Sequence, residues 1–121
     1  MATVLVVDDS PTEVHVFRTA LEKNGFAVEV ATSGEEGIKV ARKLQPDLVL
    51  MDVVMPGING FQATRQLNRA SETAQIPVII VTTKDQETDK VWGMRQGAAE
   101  YLVKPVNEQQ LVDTVRTVLS R

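Results

Sequence analysis

Five side chains that could carry chemistry stand just after short apolar runs of the chain. They are Asp8, Asp9, Asp52, Thr82 and Lys104. Each apolar run is typical of a strand that is buried on both faces of a parallel sheet. The ends of such strands lie at one edge of the sheet, where open α/β sheets bind their ligands. We therefore expect three carboxylates, a hydroxyl and an ammonium group to meet at this edge.

The chemistry predicted for this group is metal-assisted phosphoryl transfer. Neighbouring carboxylates repel one another, and a hard divalent cation such as Mg²⁺ relieves that repulsion because it prefers oxygen ligands. Lys104 and Thr82 would then supply a positive charge and a hydrogen-bond donor for phosphoryl oxygens. A bare metal site would not need these two groups. A carboxylate in this setting is suited to form an aspartyl phosphate.

Simpler structural roles are open for some of these residues. Asp52 precedes the turn dipeptides Pro56-Gly57 and Asn59-Gly60, and its sole role could be to cap this turn. Lys104 could be an exposed loop lysine. Other kinds of site find less support in the sequence. It has no Walker-type phosphate loop and no cysteine, and the single histidine, His15, is expected at the surface of the first helix.

The elements that position these residues alternate between strand and helix. The apolar runs predict strands at residues 3–7, 26–31, 48–51, 78–81 and 101–103. Capping residues and helical spacing predict helices at residues 10–24, 33–45, 60–70 and 84–96, and a last helix that begins at residue 107. Five strands and five helices in strict alternation indicate a doubly wound parallel sheet.

Two of the helices carry specific expectations about burial. The second helix should turn Ile38, Ala41 and Leu44 toward the core. The first two turns of the fourth helix are mostly polar, so Trp92 and Met94 are expected to face the core rather than a partner. A helix with so few apolar anchors is expected to shift at low energetic cost.

The composition is that of one soluble domain. The 121 residues are 43% hydrophobic and 24% charged, which suffices for a core without disulfides. The apolar runs are too short to span a bilayer and no apolar leader precedes them, so we expect a cytoplasmic protein without a membrane segment. The net charge is -3 and the 13 Lys and Arg are scattered, which argues against nucleic-acid binding. We predict a single domain over residues 1–121.

Four motifs of the chain, in this order, resemble those of response-regulator receiver domains. They are Val6-Val7-Asp8-Asp9-Ser10, Met51 to Gly60, Val81-Thr82-Thr83 and Val103-Lys104-Pro105. The likeness covers the whole chain and is greatest to single-domain, chemotaxis-type receivers. Residues 60–67 and 82–93 are similar to those of receivers that regulate twitching motility. The resemblance implies a (βα)5, flavodoxin-like or CheY-like fold with strand order 2-1-3-4-5.

The resemblance also implies roles for the acidic residues. Asp52 would be the phosphoacceptor. The implied cofactor is Mg²⁺, held by Asp52, by Asp9 directly and by Asp8 through water. The main-chain carbonyl of Val54 would be a further ligand, so the apolar side chain at this position does not weaken the match.

The other implied roles concern the phosphoryl group and the response to it. Thr82 and Lys104 would bind phosphoryl oxygens, and the peptide bond after Lys104 would be cis. Tyr101 would be a switch residue that moves with Thr82, although tyrosine also fits a strand as a plain core aromatic. Val54 and Lys84 would tune dephosphorylation, and slow self-hydrolysis is expected because Val54 offers no polar group to orient water.

The implied partners are a phosphodonor and a reader. The donor would be a phosphohistidine of a CheA-like sensor histidine kinase, and the reader a separate downstream protein. We expect a monomer that acts in chemotaxis-like control of type IV pilus twitching. It would catalyse only its own phosphorylation and dephosphorylation, and so act as a switch rather than as an enzyme.

Several alternatives stay open at this stage. The chain could be a phosphate sink for a shared kinase, or a binding module with the receiver fold that is not phosphorylated. A flavin-binding module would place a phosphate at the first strand-helix loop, where Asp8-Asp9 repels it. In a haloacid-dehalogenase-type phosphatase the nucleophile lies on the first strand and a second aspartate follows two residues later, a spacing that the adjacent pair Asp8-Asp9 does not match.

Overall fold

A sheet of five parallel strands runs through the centre of the computed structural model, which describes all 121 residues. The strands are β1 (Thr3–Val7), β2 (Ala27–Ala31), β3 (Leu48–Met51), β4 (Val78–Thr82) and β5 (Glu100–Val103). They lie in the order β2-β1-β3-β4-β5, which confirms the predicted doubly wound topology. The three central strands are almost wholly apolar and buried because helices cover both faces of the sheet.

Five helices connect the strands. They are α1 (Pro11–Lys23), α2 (Gly34–Leu44), α3 (Gly60–Arg69), α4 (Glu87–Arg95) and α5 (Glu108–Leu119). The predicted caps are present, since the side chains of Ser10, Ser33 and Asn107 each accept a hydrogen bond from the backbone N–H three residues later. None of the five helices has both the length and the hydropathy needed to cross a membrane.

The core has one large layer on each side of the sheet. Val4 and Val6 point to the side of α1 and α5, where Phe17 and Leu111 belong to the same apolar cluster. The alternate residues of β1 point to the side of α2 and α3. α4 has the weakest anchorage of the five helices, because Gly93 is its only buried residue.

Three expectations about burial were wrong. Leu44 is 46% exposed because α2 ends at this residue and the chain turns away through Gln45, which has a left-handed backbone. Trp92 and Met94 are both nearly half exposed. They flank the buried Gly93, and neighbours on a helix are rotated by about 100° to either side of the buried line. The fourth helix also begins at Glu87, three residues later than predicted.

Candidate functional site

The polar residues that follow the strands meet at the carboxyl edge of the sheet. Asp8 directly follows β1, Asp52 directly follows β3, and β1 pairs with β3 in parallel register. Carboxylate oxygens of Asp8, Asp9 and Asp52 consequently lie within 4.8 Å of one another. The predicted convergence of three carboxylates is therefore present in the structure.

Lys104 extends from the end of β5 into this acidic group. Its Nζ donates a hydrogen bond to Asp8 Oδ2 at 3.0 Å and lies 3.6 Å from Asp52 Oδ1. Burial by itself would lower the pKa of Lys104, but the hydrogen bond to Asp8 and the charges of nearby carboxylates raise it overall. The side chain is therefore a fixed positive charge beside Asp52. The Lys104-Pro105 peptide bond is cis, as expected.

Asp52 is the most strongly perturbed carboxyl group of the site. The residue is only 8% exposed, and this burial, together with the charge of Asp8, raises its pKa from 3.8 to about 6. Lys104 and the backbone N–H of Val53 act in the opposite direction but do not compensate fully. The neutral form of Asp52 is therefore favoured more than in an exposed aspartate, mainly because the carboxyl group is buried.

The oxygen atoms around Asp52 differ in whether they accept hydrogen bonds from other groups of the chain. Asp8 Oδ1 accepts a hydrogen bond from Ser10 N–H at 2.9 Å, which fixes this carboxylate, whereas Asp9 is exposed. Val54 is 62% exposed, and its main-chain carbonyl accepts no hydrogen bond within the chain. The Asp9 carboxylate and the Val54 carbonyl, which accept no hydrogen bond within the chain, are oxygen ligands of the kind that a hard cation such as Mg²⁺ prefers.

Thr82 is the last residue of β4 and is completely buried. Its carbonyl accepts a hydrogen bond from Lys104 N–H at 2.8 Å, which ties the ends of β4 and β5 together. Its hydroxyl oxygen accepts a hydrogen bond from Lys84 N–H at 3.3 Å, whereas its own proton has no acceptor in the chain. The Thr82 hydroxyl therefore has a proton that no hydrogen bond within the chain uses.

Comparison with known proteins shows which family the chain belongs to. The profile described as "Response regulator receiver domain" matches residues 4–116. The chain belongs to this family. It is therefore a receiver domain of the two-component response regulators, which decides against the flavin-binding and haloacid-dehalogenase-type alternatives.

Individual relatives agree with the family assignment. The chain is 61% identical over 120 residues to Protein PilH of Pseudomonas aeruginosa, with 99% of each chain covered. It is 37% identical to the transcriptional regulatory protein AfsQ1 of Streptomyces coelicolor, of which it spans 52%.

Solved structures show the same receiver fold. The chemotaxis protein CheY4 of Vibrio cholerae superposes with a TM-score of 0.92 at 34% identity and 98% coverage of both chains. The BeF3-activated N-terminal receiver domain of Klebsiella pneumoniae RstA superposes with a TM-score of 0.91 at 26% identity, covering 98% of this chain and 99% of that one. The CheY-like architecture predicted from the sequence is confirmed.

Tyr101 links the receiver site to α4. Its hydroxyl donates a hydrogen bond to the main-chain carbonyl of Lys84 at 2.8 Å, in the loop that follows Thr82. Its ring lies against Gly93, where an added methyl group would come within 3.0 Å of ring carbons. Partial burial and the charges of Asp89 and Asp85 raise the pKa of Tyr101 to about 12. The side chain therefore stays protonated and able to donate.

Two further residues considered in the sequence form no hydrogen bond or ion pair with the acidic group through their side chains. The ammonium of Lys84 lies 3.9 Å from Asp89 Oδ1, at the start of α4, and its side chain is 43% exposed. His15 is exposed on α1, as predicted, and makes no hydrogen bond that would mark it as a base. Control of dephosphorylation by Lys84 stays a prediction.

Two contacts that hold the loop after Asp52 were not predicted. A methyl group at Gly60 would overlap the main-chain carbonyl of Asp52, so only glycine allows α3 to begin this close to the site. Ile58 N–H donates to Glu35 Oε2 at 3.3 Å, which connects the loop to α2. Gly60 carries a sequence signal as part of a turn dipeptide, whereas no sequence signal points to Glu35.

Proposed function

We propose that this receiver domain, formed by residues 1–121, accepts a phosphoryl group on Asp52 from the phosphohistidine of a CheA-like sensor histidine kinase. The observation that supports this most directly is the position of Asp52 within 4.8 Å of two further carboxylates and 3.6 Å from Lys104 Nζ. A buried ion pair alone would need only one carboxylate. The surplus acidic groups favour a site for metal-assisted transfer to oxygen.

The proposed reaction is a transfer between two protein side chains. An ionised oxygen of Asp52 attacks the phosphorus atom, a P–O bond forms, and the P–N bond to the donor imidazole breaks. The imidazole nitrogen takes a proton from solvent as it leaves. Lys104 Nζ and the Thr82 hydroxyl stabilise the charge on the transferred oxygens, since both groups can donate hydrogen bonds.

Mg²⁺ fits the residues that would hold it. Asp8, Asp9, Asp52 and the Val54 carbonyl offer only oxygen atoms, and the three carboxylates outnumber the single ammonium of Lys104 that lies beside Asp8 and Asp52. When bound, Mg²⁺ would supply the positive charge that keeps Asp52 ionised and neutralises phosphoryl oxygens. Val54 and Lys84 would set how long the phosphoryl group persists.

The proposed output is a change in the surface formed by α4, β5 and α5. Thr82 and Tyr101 both form hydrogen bonds with the backbone of the loop that leads to α4. A movement of Thr82 toward a phosphoryl group would therefore change the position of this loop. The exposed Val91, Trp92 and Met94 on α4 provide apolar contacts for a downstream protein. This supports signal transmission rather than service as a phosphate sink.

The proposed pathway is control of type IV pilus twitching by a monomeric, cytoplasmic protein. The full-length similarity to PilH supports it. Expression of this chain in a Pseudomonas aeruginosa strain that lacks PilH tests the pathway. Recovery of normal twitching by the wild type but not by Asp52→Asn would support the assignment, and a phosphorylatable chain that restores nothing would oppose it.

Intact mass spectrometry after incubation with Mg²⁺ and acetyl phosphate tests phosphorylation itself. We expect one phosphoryl adduct on the wild type, none on Asp52→Asn, and one on the control Asp113→Asn, whose exposed carboxylate lies on α5. Beryllofluoride should change Trp92 fluorescence only when Mg²⁺ is present. Absence of both responses would leave a receiver-fold binding module as the better description.

A further inference from the structure

An open groove between α2 and α3 is lined by basic and amide side chains. Its volume is about 520 Å³, and its lining consists of Arg42, Gln62, Arg65, Gln66, Arg69 and Ala70. Ala70 is the only apolar lining residue. The receiver chemistry described above involves none of these side chains.

The positive charge of this groove is largely uncompensated. Arg65 and Arg69 form no ion pair, and Arg42 has only a long contact of 3.9 Å with Glu72, where both side chains are more than half exposed. Arg65 and Arg69 stand four residues apart on α3, an arrangement in which like charges weaken a helix. This concentration of positive charge occurs in a chain whose net charge is -3. A negatively charged occupant would relieve the repulsion.

The lining indicates what such an occupant is made of. Guanidinium groups bind carboxylates in a planar, bidentate manner, and the two glutamine amides add further donors. The groove contains no aromatic ring on which a nucleic-acid base could stack, and its apolar content is too small for insertion into a bilayer. Its concave form also suits a narrow protein segment better than a flat membrane. Carboxylates four residues apart on a helix repeat at about the same spacing as Arg65 and Arg69.

We propose that the groove between α2 and α3 is a docking site for an acidic helix of a partner protein, with Arg65 and Arg69 as its main contacts. Arg42, which lies on α2, lines the opposite side of the groove. The site lies outside the group formed by Asp52, Lys104 and Thr82, and docking there would hold a partner without occupying the phosphorylation site.

Fluorescence anisotropy with a defined probe tests this proposal. The probe is a fluorescein-labelled, alanine-based helical peptide with glutamate at every fourth position, and the control peptide has glutamine there. We expect the glutamate peptide to bind the wild type and the double variant Arg65→Gln/Arg69→Gln to bind it about tenfold more weakly. The matched variant Arg18→Gln/Arg116→Gln removes the same charge from α1 and α5 and should bind within about twofold of wild type.

Several results would overturn the docking site. Equal weakening in both double variants would mean that only net charge matters, and equal binding of both peptides would mean that carboxylates are not recognised. Tighter binding of phosphatidylglycerol vesicles or duplex DNA through the same two arginines would assign the groove to another ligand. Self-association of the wild type that Arg65→Gln/Arg69→Gln abolishes would assign it to a second copy of the chain. Urea unfolding of each variant verifies that the fold is intact.

Discussion

Replacement of Asp52 by asparagine should stabilise the metal-free protein at neutral pH. Burial beside Asp8 raises the pKa of Asp52 from 3.8 to about 6, so the folded state binds this proton more tightly than the unfolded chain does. The proton on Asp52 therefore stabilises the folded protein relative to its state at high pH. This contribution is fully present below about pH 3.8 and is lost as the pH rises through about 6. Above that range the wild type must keep a buried charge that asparagine does not carry.

The magnitude follows from the two pKa values. One pKa unit corresponds to about 1.36 kcal/mol, so the shift from 3.8 to about 6 sets an upper limit of about 3 kcal/mol. Solvent reaches one side of the site and screens the charge, so we expect Asp52→Asn to raise the free energy of unfolding by about 1–2 kcal/mol at neutral pH. The gain should fall toward zero as the pH approaches about 4.

Urea unfolding in EDTA, followed by Trp92 fluorescence, measures this difference. Wild type and Asp52→Asn are compared at about pH 7.5 and about pH 4.5, and the control Asp113→Asn should change the free energy of unfolding by less than about 0.5 kcal/mol. The reasoning is refuted if Asp52→Asn is no more stable than wild type at the higher pH. It is also refuted if the gain does not shrink on acidification, because the effect would then not come from ionisation.

Three further predictions concern the loop after Asp52 and the response to phosphorylation. Gly60→Ala should cost about 2 kcal/mol or more in urea unfolding, because the methyl group overlaps the Asp52 carbonyl; an unchanged midpoint would show that α3 shifts freely. Val54→Asn should speed loss of the phosphoryl adduct in timed mass spectra, because its amide can orient water, and an unaltered lifetime would contradict this role. Beryllofluoride with Mg²⁺ should change amide hydrogen exchange across residues 84–96, whereas equal protection would rule out α4 as the responsive element.

The sequence alone determined the order of the elements and which charged residues meet at the carboxyl edge of the sheet. Apolar runs mark the buried strands, and Ser10, Ser33 and Asn107 mark helix starts through local hydrogen bonds that depend on only a few neighbouring residues. Parallel topology then brings the residues after the strands to one edge, so the meeting of Asp8 with Asp52 was predictable without coordinates.

The tertiary structure decided which helix faces are covered and how the site is tuned. Trp92 and Met94 are exposed because Gly93, the residue between them, is the one that meets Tyr101. The raised pKa of Asp52 depends on burial and on its distances from Asp8 and Lys104, which no sequence pattern contains. Contacts between residues far apart in the chain set these properties, and their distances become fixed only when the helices pack on the sheet.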